Sequence, residues 1–493
     1  MLEKEAAAHS LPRAAHLDDE ALRILQAAEV LDEALASRRV IDGLDLVSGE
    51  GDVLLRARKE GAATKPYGHP TATLIHQPTI ERALRYGIGR YPNVDVLLSN
   101  AVESVTDDGH TVCLRGSGRD GPFEIVADWL VGCDGTQSIV RKAMGSPLLG
   151  GRLEQPWLVV DVILIHAVDL SDRLLQIADP LRPTTYVPFP DPRRRWEFML
   201  WPGETPKSMI RPETVHALIS AHVNPDAFEV ERAAVYTFRD VTARGWRAGR
   251  VLIAGDAAHQ MPPFLGQGLC SGFRDVHNLA WKLALVVKGS AHPALLDSYE
   301  MERRPHVEAI TKLAVRAGRV IQSSGLLARL RDRGFRVLHR LPAISKKLLN
   351  VQGSIPHIPL AFSGRGGPKP TLLPQPSVEA SDGQLELLDV FLGDGFALIG
   401  LGVSPRSWVD ADDLPTWKKL ITRAIHVVPE SEPWPEVAEG ELAIRDPSGT
   451  LIDWARIEAG IIVVRPDRQA FGVYGSDDWK MAAGGVREAL GLK

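Results

Sequence analysis

The sequence predicts an α/β protein of several domains, and three observations carry that expectation. Short apolar runs leave through Gly and Asp into helical sequence at 128–145 and again at 245–287; a proline-broken, strand-rich stretch fills 150–239; and strands return after a proline- and glycine-rich gap at 355–377. At 493 residues, with 44% hydrophobic and 24% charged residues, the chain has the composition of an ordinary globular protein and room for on the order of two to four domains.

Residues 17–35 read as one helix, capped by Asp18 and carrying Leu22, Leu25 and Leu31 at near-helical spacing. The runs "NVDVLLSNAVESVTDDGHTVCLRG" and "PFEIVADWLVGCDG" are β-branched and separated by Asp-Gly and Gly-rich turns, so they predict antiparallel strands feeding a buried last strand, with a helix opening near Ser138. From Gly150 to about Arg239, prolines confine the strands to a mixed sheet with irregular connections. Val251 to Ala254 form a short buried strand. A helix then starts near Gly268, with Leu269, Gly272, Val276, Leu279, Leu283 and Val286 as its inner face, and helical sequence runs on to about Asn350. Past the gap, "LLDVFLGDGFALIGLG", "RAIHVVP" and "GIIVVRPDRQAFGVYG" read as strands, the last pair turning at Pro466–Asp467. The expected division is 1–149 and 246–354 for two parts of one ligand-binding domain, 150–245 for a sheet domain, 355–380 for a linker and 381–493 for a small α/β domain.

A formal charge of -5 supplies no basic field for nucleic acid or an anionic membrane surface. Cys113, Cys133 and Cys270 have no metal-type spacing, so neither disulfides nor a metal site is expected, and a reducing compartment is the natural setting. The most apolar run, "WLVVDVILIHAV", contains Asp161 and falls short of the ~18 apolar residues of a spanning helix. The expected location is the cytoplasm, with no membrane partner.

The stretch "GDAAHQMPPFLGQGLCSG" (Gly255 to Gly272) raises the question of ligand. Gly255 allows a sharp exit from the strand and delivers Asp256 at its carboxyl end, where open α/β sheets bind ligands. A carboxylate there accepts hydrogen bonds from hydroxyls such as those of a ribityl chain. Pro262 and Pro263 fix the backbone, Gly266 and Gly268 let it approach a planar ligand, and the helix amino end favours negative charge by ~0.3–1 kcal/mol. The alternative is an ordinary strand-to-helix turn.

This block resembles the GD motif of the class A FAD-dependent aromatic hydroxylases, the family of para-hydroxybenzoate hydroxylase and phenol hydroxylase. A second segment, "CDGTQSIVR" (Cys133 to Arg141), resembles the family's DG motif through Asp134, Gly135, Ser138 and Arg141. Read by itself it is a strand, a turn and a helix capped by Ser138. The resemblance implies a Rossmann-like FAD-binding domain, a mixed-sheet substrate domain and a C-terminal thioredoxin-like domain. It implies a cofactor site of Glu3, Arg13, Gln77, Asp134, Gly135, Gly255, Asp256, Pro263, Gly266, Gln267 and Gly268. Glu3 would be the ribose-binding acid, Arg13 a cofactor contact and Gln77 a neighbour of the flavin, unless Gln77 is a solvated helix cap.

The family opens with a strand and a G-x-G-x-x-G phosphate loop, and this sequence has neither ahead of "LEKE" at Leu2 to Glu5. It is therefore expected to begin inside that motif, short of roughly 30 residues less one strand. "GSGRDG" at Gly116 to Gly121 matches the pattern literally, but a strand follows it, so it reads as a hairpin loop.

"PRAAHLDDEALRILQ", "HQPTIERALR" and the C-terminal extension look most like 3-(3-hydroxyphenyl)propionate hydroxylases. That resemblance implies hydroxylation of a phenolic aromatic acid with NADH or NADPH as cosubstrate and O2, through a flavin C4a-hydroperoxide, with a homodimer open. His259 is a candidate for activating a phenol or for orienting backbone; Trp196, Phe198 and Trp201 are candidates for an aromatic wall or for core. Two alternatives stand beside the hydroxylase. One is a cofactor-poor homologue without catalysis; the other is a flavin oxidoreductase of another kind, such as a halogenase, whose W-x-W-x-I-P signature is absent.

Overall fold

The computed structural model describes residues 1–8, 12–58, 65–339, 356–361, 372–409, 420–437 and 439–491. Its residues group into two units, the first of 1–63, 70–273 and 307–356, the second of 64–69, 274–306 and 357–493.

The first unit is built on an eight-stranded mixed sheet. Its strand order is His259–Gln260, Phe228–Ala243, Leu148–Leu164, Arg193–Met199, Thr184–Val187, Leu174–Ile177, Gly43–Val47 and Val53–Arg58. The alternation of strand side chains divides Arg193–Met199 cleanly. Trp196 and Phe198 pack with Leu158, Val160 and Ile219 of helix Pro212–Ser220, whereas Met199 joins Trp157, Phe264 and Ile321 on the opposite side. Trp196 and Phe198 are thus core residues. Trp201 lies past the strand's end, donates its indole N–H to the Leu181 carbonyl at 2.6 Å, and belongs to the Trp157 side.

Smaller sheets complete this unit. Strands Ala101–Asp107, Val112–Gly118 and Gly121–Ala127 form an antiparallel meander in which Gly118 pairs with Gly121, so "GSGRDG" is a hairpin. The strand that the meander feeds, Leu130–Gly132, is not the fully buried one expected, since Leu130 and Val131 are half-buried; it pairs in parallel with the buried Val251–Ile253, Gly132 opposite Ile253. Leu2–Glu3 pairs in parallel with Leu97–Leu98.

The helix expected over 17–35 is two helices, Asp19–Ala27 and Leu31–Ala34. Glu29 adopts φ +54° between them, a left-handed conformation that no continuous helix contains. Asp18 caps the first, accepting from the Ala21 amide.

In the second unit, seven strands form one mixed sheet. Phe396–Leu401, Ile421–Val427 and Glu441–Arg445 run parallel, and the hairpin Gly460–Val464/Ala470–Tyr474 continues antiparallel. A parallel core extended by an antiparallel hairpin and closed by helix Trp479–Leu490 is a thioredoxin-like arrangement. The hairpin turns at Pro466–Asp467 as expected, with Arg468 at φ +62°. Part of "LLDVFLGDGFALIGLG" is not strand, since Asp389–Leu392 is a helical turn before Phe396–Leu401. Much of the proline-rich gap, together with 340–350 of the expected helical sequence, lies outside the described residues.

Helix Gly268–Val287 begins where the sequence places it, but its inner face differs. Val276 is exposed, while Arg274, Asp275, Asn278 and Lys282 are buried. Their charges are met inside the second unit. Arg303 Nε donates to Asp275 Oδ1 at 2.9 Å, and Lys282 Nζ to Glu302 Oε2 at 2.8 Å. Arg465 bonds both Glu302 oxygens at 2.9 Å as well as Asp467. A spacing argument that counts only apolar residues is blind to a helix face whose buried charges are paired.

Candidate active site

Two parallel strands, Leu130–Gly132 and Val251–Ile253, deliver the two singled-out acids side by side. Asp134 follows the end of the first and Asp256 the end of the second. They do different work. Asp134 is turned onto its own helix: Oδ1 accepts from Ser138 Oγ at 2.5 Å, and Oδ2 from the amides of Ile139 at 2.7 Å and Val140 at 3.1 Å. Ser138 Oγ in turn accepts from the Arg141 amide at 2.9 Å. The first amides of helix Ile139–Ala143 are thereby satisfied.

Arg141, nearly buried, reaches out of that helix. Its Nη1 donates to the Ala257 carbonyl at 2.8 Å and its Nη2 to the Thr136 carbonyl at 2.9 Å. One guanidinium thus fastens both bends together.

Asp256 is left over. Its side chain is exposed, and among the described residues no donor bonds its carboxylate. Desolvation nevertheless pushes its carboxyl pKa up, partly offset by the charges of His259 and then Arg13. A carboxylate that water can reach while protein surrounds it stands in a cleft, where a ligand's hydroxyls can satisfy it.

The segment after it forms one side of that cleft. Gly255 at φ +60° makes the exit, and Gly266 at φ +63° ends the turn Pro263–Leu265 with His16 so close that a Cβ would meet its ring at 3.0 Å. Gln267, buried, donates to Asp18 Oδ2 at 3.0 Å. Gly268 starts the long helix, and a Cβ on Gly272 would stand 3.7 Å from Gly255 Cα, which brings the helix amino end against the Asp256 bend.

Arg13 is carried by residues 12–14, held from two directions. Gln77, at the start of helix Gln77–Ile88, accepts on Oε1 from the amides of Arg13 at 2.9 Å and Ala14 at 2.7 Å. From the large sheet, Arg195 Nη1 donates to the Arg13 carbonyl at 2.9 Å and Nη2 to that of Pro12 at 2.7 Å, and Arg232 also donates to Pro12. Asp161 balances both guanidiniums, accepting from Arg195 Nε at 2.7 Å and lying 3.5 Å from Arg232 Nη1. Sequence reasoning missed this triad, although an acid inside the apolar run "WLVVDVILIHAV" was the available signal. A buried carboxylate in a strand requires a cation opposite it.

His259 is buried, sits in a strand paired with Thr242, and stacks on Trp246 with ring centroids 5.3 Å apart. Leu2–Glu3 places Glu3 opposite Leu98, its Oε1 accepting from the Glu5 amide at 2.9 Å. Leu11 lies outside the described residues.

Adjacent parallel strands ending in acids beside a helix amino end, over a broad mixed sheet, define a nucleotide-cofactor α/β class of protein. A family described as an FAD binding domain matches residues 1–314, and one described as the HcaD C-terminal domain matches 370–489. The chain is 35% identical over 471 residues to the 3-(3-hydroxy-phenyl)propionate/3-hydroxycinnamic acid hydroxylase of Escherichia coli, covering 93% of this chain and 84% of that one. Solved structures share the fold. Aklavinone-11 hydroxylase with FAD and aklavinone superposes with a TM-score of 0.79 at 22% identity, covering 99% of this chain and 94% of that one. A flavin-dependent monooxygenase in complex with FAD and substrate gives 0.83 at 20%, covering 100% and 94%. The chain belongs to the FAD-dependent aromatic hydroxylase family.

The residues fit such a cofactor. A Cβ on Gly135, Gly255 or Gly268 would meet nothing within 4 Å, so space stands open at both bends and at the helix start, beside a carboxylate that accepts from no donor among the described residues.

Proposed function

We propose that this protein hydroxylates a phenolic aromatic acid of the 3-(3-hydroxyphenyl)propionate kind, using FAD, NADH or NADPH, and O2. The observation that carries the reading is the pairing of Leu130–Gly132 with Val251–Ile253, which sets the Asp134 and Asp256 bends next to each other at one end of one sheet.

In this reading Asp256 accepts hydrogen bonds from the ribityl hydroxyls, and Asp134 keeps its bend rigid by holding Ser138 and two helix amides. The residues Gly135, Gly255, Pro263, Gly266, Gln267 and Gly268 form the backbone walls, with Arg13 and Gln77 across the cleft and Glu3 toward the nucleotide end. The helix amino end at Gly268 favours the negative charge of a reduced ring. FAD, when bound, supplies the redox and oxygen-transfer chemistry. The protein's share is to hold the phenol ring and exclude water. His259, stacked on Trp246, orients the backbone beside Asp256 and contributes a charge to it.

The test is to reconstitute the purified full chain with FAD and measure oxidation of NADH and NADPH with and without 3-(3-hydroxyphenyl)propionate, analysing products. Stimulated oxidation with a dihydroxylated product supports the reading. A chain that takes up flavin yet gives no aromatic product defeats it.

A further inference from the structure

The inner face of the large sheet carries three successive rows of side chains in the register of strands Phe228–Ala243, Leu148–Leu164 and Arg193–Met199. One row is Tyr236, Trp157 and Met199; the next is Ala234, Val159 and Glu197; the third is Arg232, Asp161 and Arg195. The outer rows are both engaged by segments that build the cofactor cleft. Trp157 meets the ring of Phe264, in the turn just after Pro262, edge-on at 5.8 Å. Arg195 and Arg232 hold the backbone of Pro12 and Arg13. The middle row is therefore bracketed by the two walls of the cleft.

That row is small and apolar except for one group. Glu197 is 9% exposed, and among the described residues it makes no hydrogen bond. Its cross-strand neighbour Thr185 donates to Gln176 at 2.9 Å instead. The guanidinium of Arg195 is committed to Asp161, Pro12 and Arg13, leaving its Nη1 3.7 Å from Glu197 Oε1, an ion pair too long for a hydrogen bond. A largely buried carboxyl that is ion-paired but accepts no hydrogen bond leaves its acceptors unsatisfied, which costs stability, so it is retained for a donor that comes to it. Its cross-strand neighbours in the row, Val159 and Ala234, are small and apolar and offer no competing hydrogen-bond donor from their side chains.

We propose that Glu197 is the substrate-contacting residue that accepts a hydrogen bond from the phenolic hydroxyl of the bound aromatic and so selects phenols over rings that lack it. The proposal rests on the hydroxylase reading above. Desolvation pushes the Glu197 carboxyl pKa up, with Arg195 the largest opposing charge, and a poorly hydrated oxygen is one that gains by meeting a hydroxyl.

The experiment compares equilibrium binding of 3-(3-hydroxyphenyl)propionate and of 3-phenylpropionate to the FAD-loaded full chain by calorimetry, for wild type, Glu197→Gln and Glu197→Met. Wild type is expected to prefer the phenol by about tenfold or more, the worth of a hydrogen bond to a charged or strongly polar acceptor. Met, similar in shape but without an acceptor, erases the preference; Gln, which keeps an acceptor oxygen, restores most of it. An unchanged ratio of the two affinities in Glu197→Met overturns the proposal, as does an equal loss for both ligands, which marks a purely structural role. A wild-type holoprotein that binds neither ligand removes the hydroxylase reading itself, an outcome distinct from binding without discrimination by Glu197.

Discussion

Arg141 Nη1 donates to the carbonyl oxygen of Ala257 at 2.8 Å, and through that bond the bend after one parallel strand is tied to the bend after its neighbour. The second guanidinium nitrogen closes on Thr136, so the planar fork spans both bends at once. Lysine offers a single ammonium and cannot span them. Arg141→Lys should therefore fold but lose FAD affinity by about ten- to a hundredfold, the cost of a charge-assisted bond in a nearly buried setting. The ratio of flavin absorbance to protein absorbance after gel filtration reads the loss. Undiminished flavin retention in this variant would show that the two bends are positioned independently.

Asp256 bears on the same question from the ligand side. Because no protein donor satisfies it among the described residues, Asp256→Ala should leave the thermal midpoint of the apoprotein nearly unchanged. FAD affinity should fall at least tenfold, since several hydroxyl contacts go with it. Fluorescence titration with FAD gives the affinity and scanning calorimetry the midpoint. A large loss of apoprotein stability would mean that the carboxylate serves the fold.

The triad of Asp161, Arg195 and Arg232 should behave in the opposite way. Removing the shared acid takes the hydrogen-bonded counter-charge from two buried guanidiniums and leaves only the longer 3.7 Å pairing of Arg195 with Glu197, so Asp161→Ala should cost about 3–5 kcal/mol in urea unfolding. Arg13 loses its support from the sheet in the same variant, so flavin retention should drop with stability.

What the sequence reveals of this arrangement follows from the range of the interactions. Asp18, Ser138 and Asp134 are readable because their bonds begin within a few residues of themselves, in caps and turns that local chain chemistry specifies, and the place of Asp256 after a strand end is readable from the same local pattern. Asp161 meets Arg195 and Arg232 only through the pairing of three strands, and no local period encodes that register. Glu197 is hidden for the same reason. The break at Glu29 escaped because the apolar spacing persists across it while the backbone does not. On helix Gly268–Val287, the buried charges were lost to an argument that equates buried with apolar.

In the second unit, Glu302 accepts from Lys282, Arg465 and Asn278. Burial alone would raise its carboxyl pKa, but Arg465 and then Lys282 outweigh that and hold it far below the ordinary value of about 4.5. Since the folded value lies under the unfolded one, the contribution to stability is complete above pH ~5 and is lost as pH falls below the unfolded value. The thermal midpoint of the C-terminal transition should drop steeply on acidification through this window. Glu302→Gln should flatten that slope while lowering the midpoint at neutral pH, both measurable by calorimetry across pH. Lys282, drawn down to about 8 chiefly by desolvation, gives a slope of the same sign in a separate, alkaline window. Its protonated form is the one burial disfavours, so its own contribution improves from pH 8 upward, and the acid limb belongs to Glu302.

Asp18 joins two parts of the chain that lie far apart in sequence, and its two oxygens can be tested separately. Oδ1 accepts from the Ala21 amide at 2.9 Å and caps helix Asp19–Ala27, while Oδ2 accepts from Gln267 Nε2 at 3.0 Å in the turn that leads to Gly268. Both side chains are buried, so a lost acceptor leaves a donor that water cannot reach. Asp18→Ser keeps a capping oxygen but is too short to reach Gln267, and should cost about 1–2 kcal/mol. Asp18→Ala loses the cap too and should cost about 2–4 kcal/mol. If the Gln267 bond is what holds the Gly266–Gly268 turn, both variants should weaken FAD binding alike although their stabilities differ. Pairing each with Gln267→Ala in a double-mutant cycle separates the terms. FAD affinities that track stability across the set, instead of dividing by whether Gln267 is satisfied, would show that Asp18 acts on the helix alone.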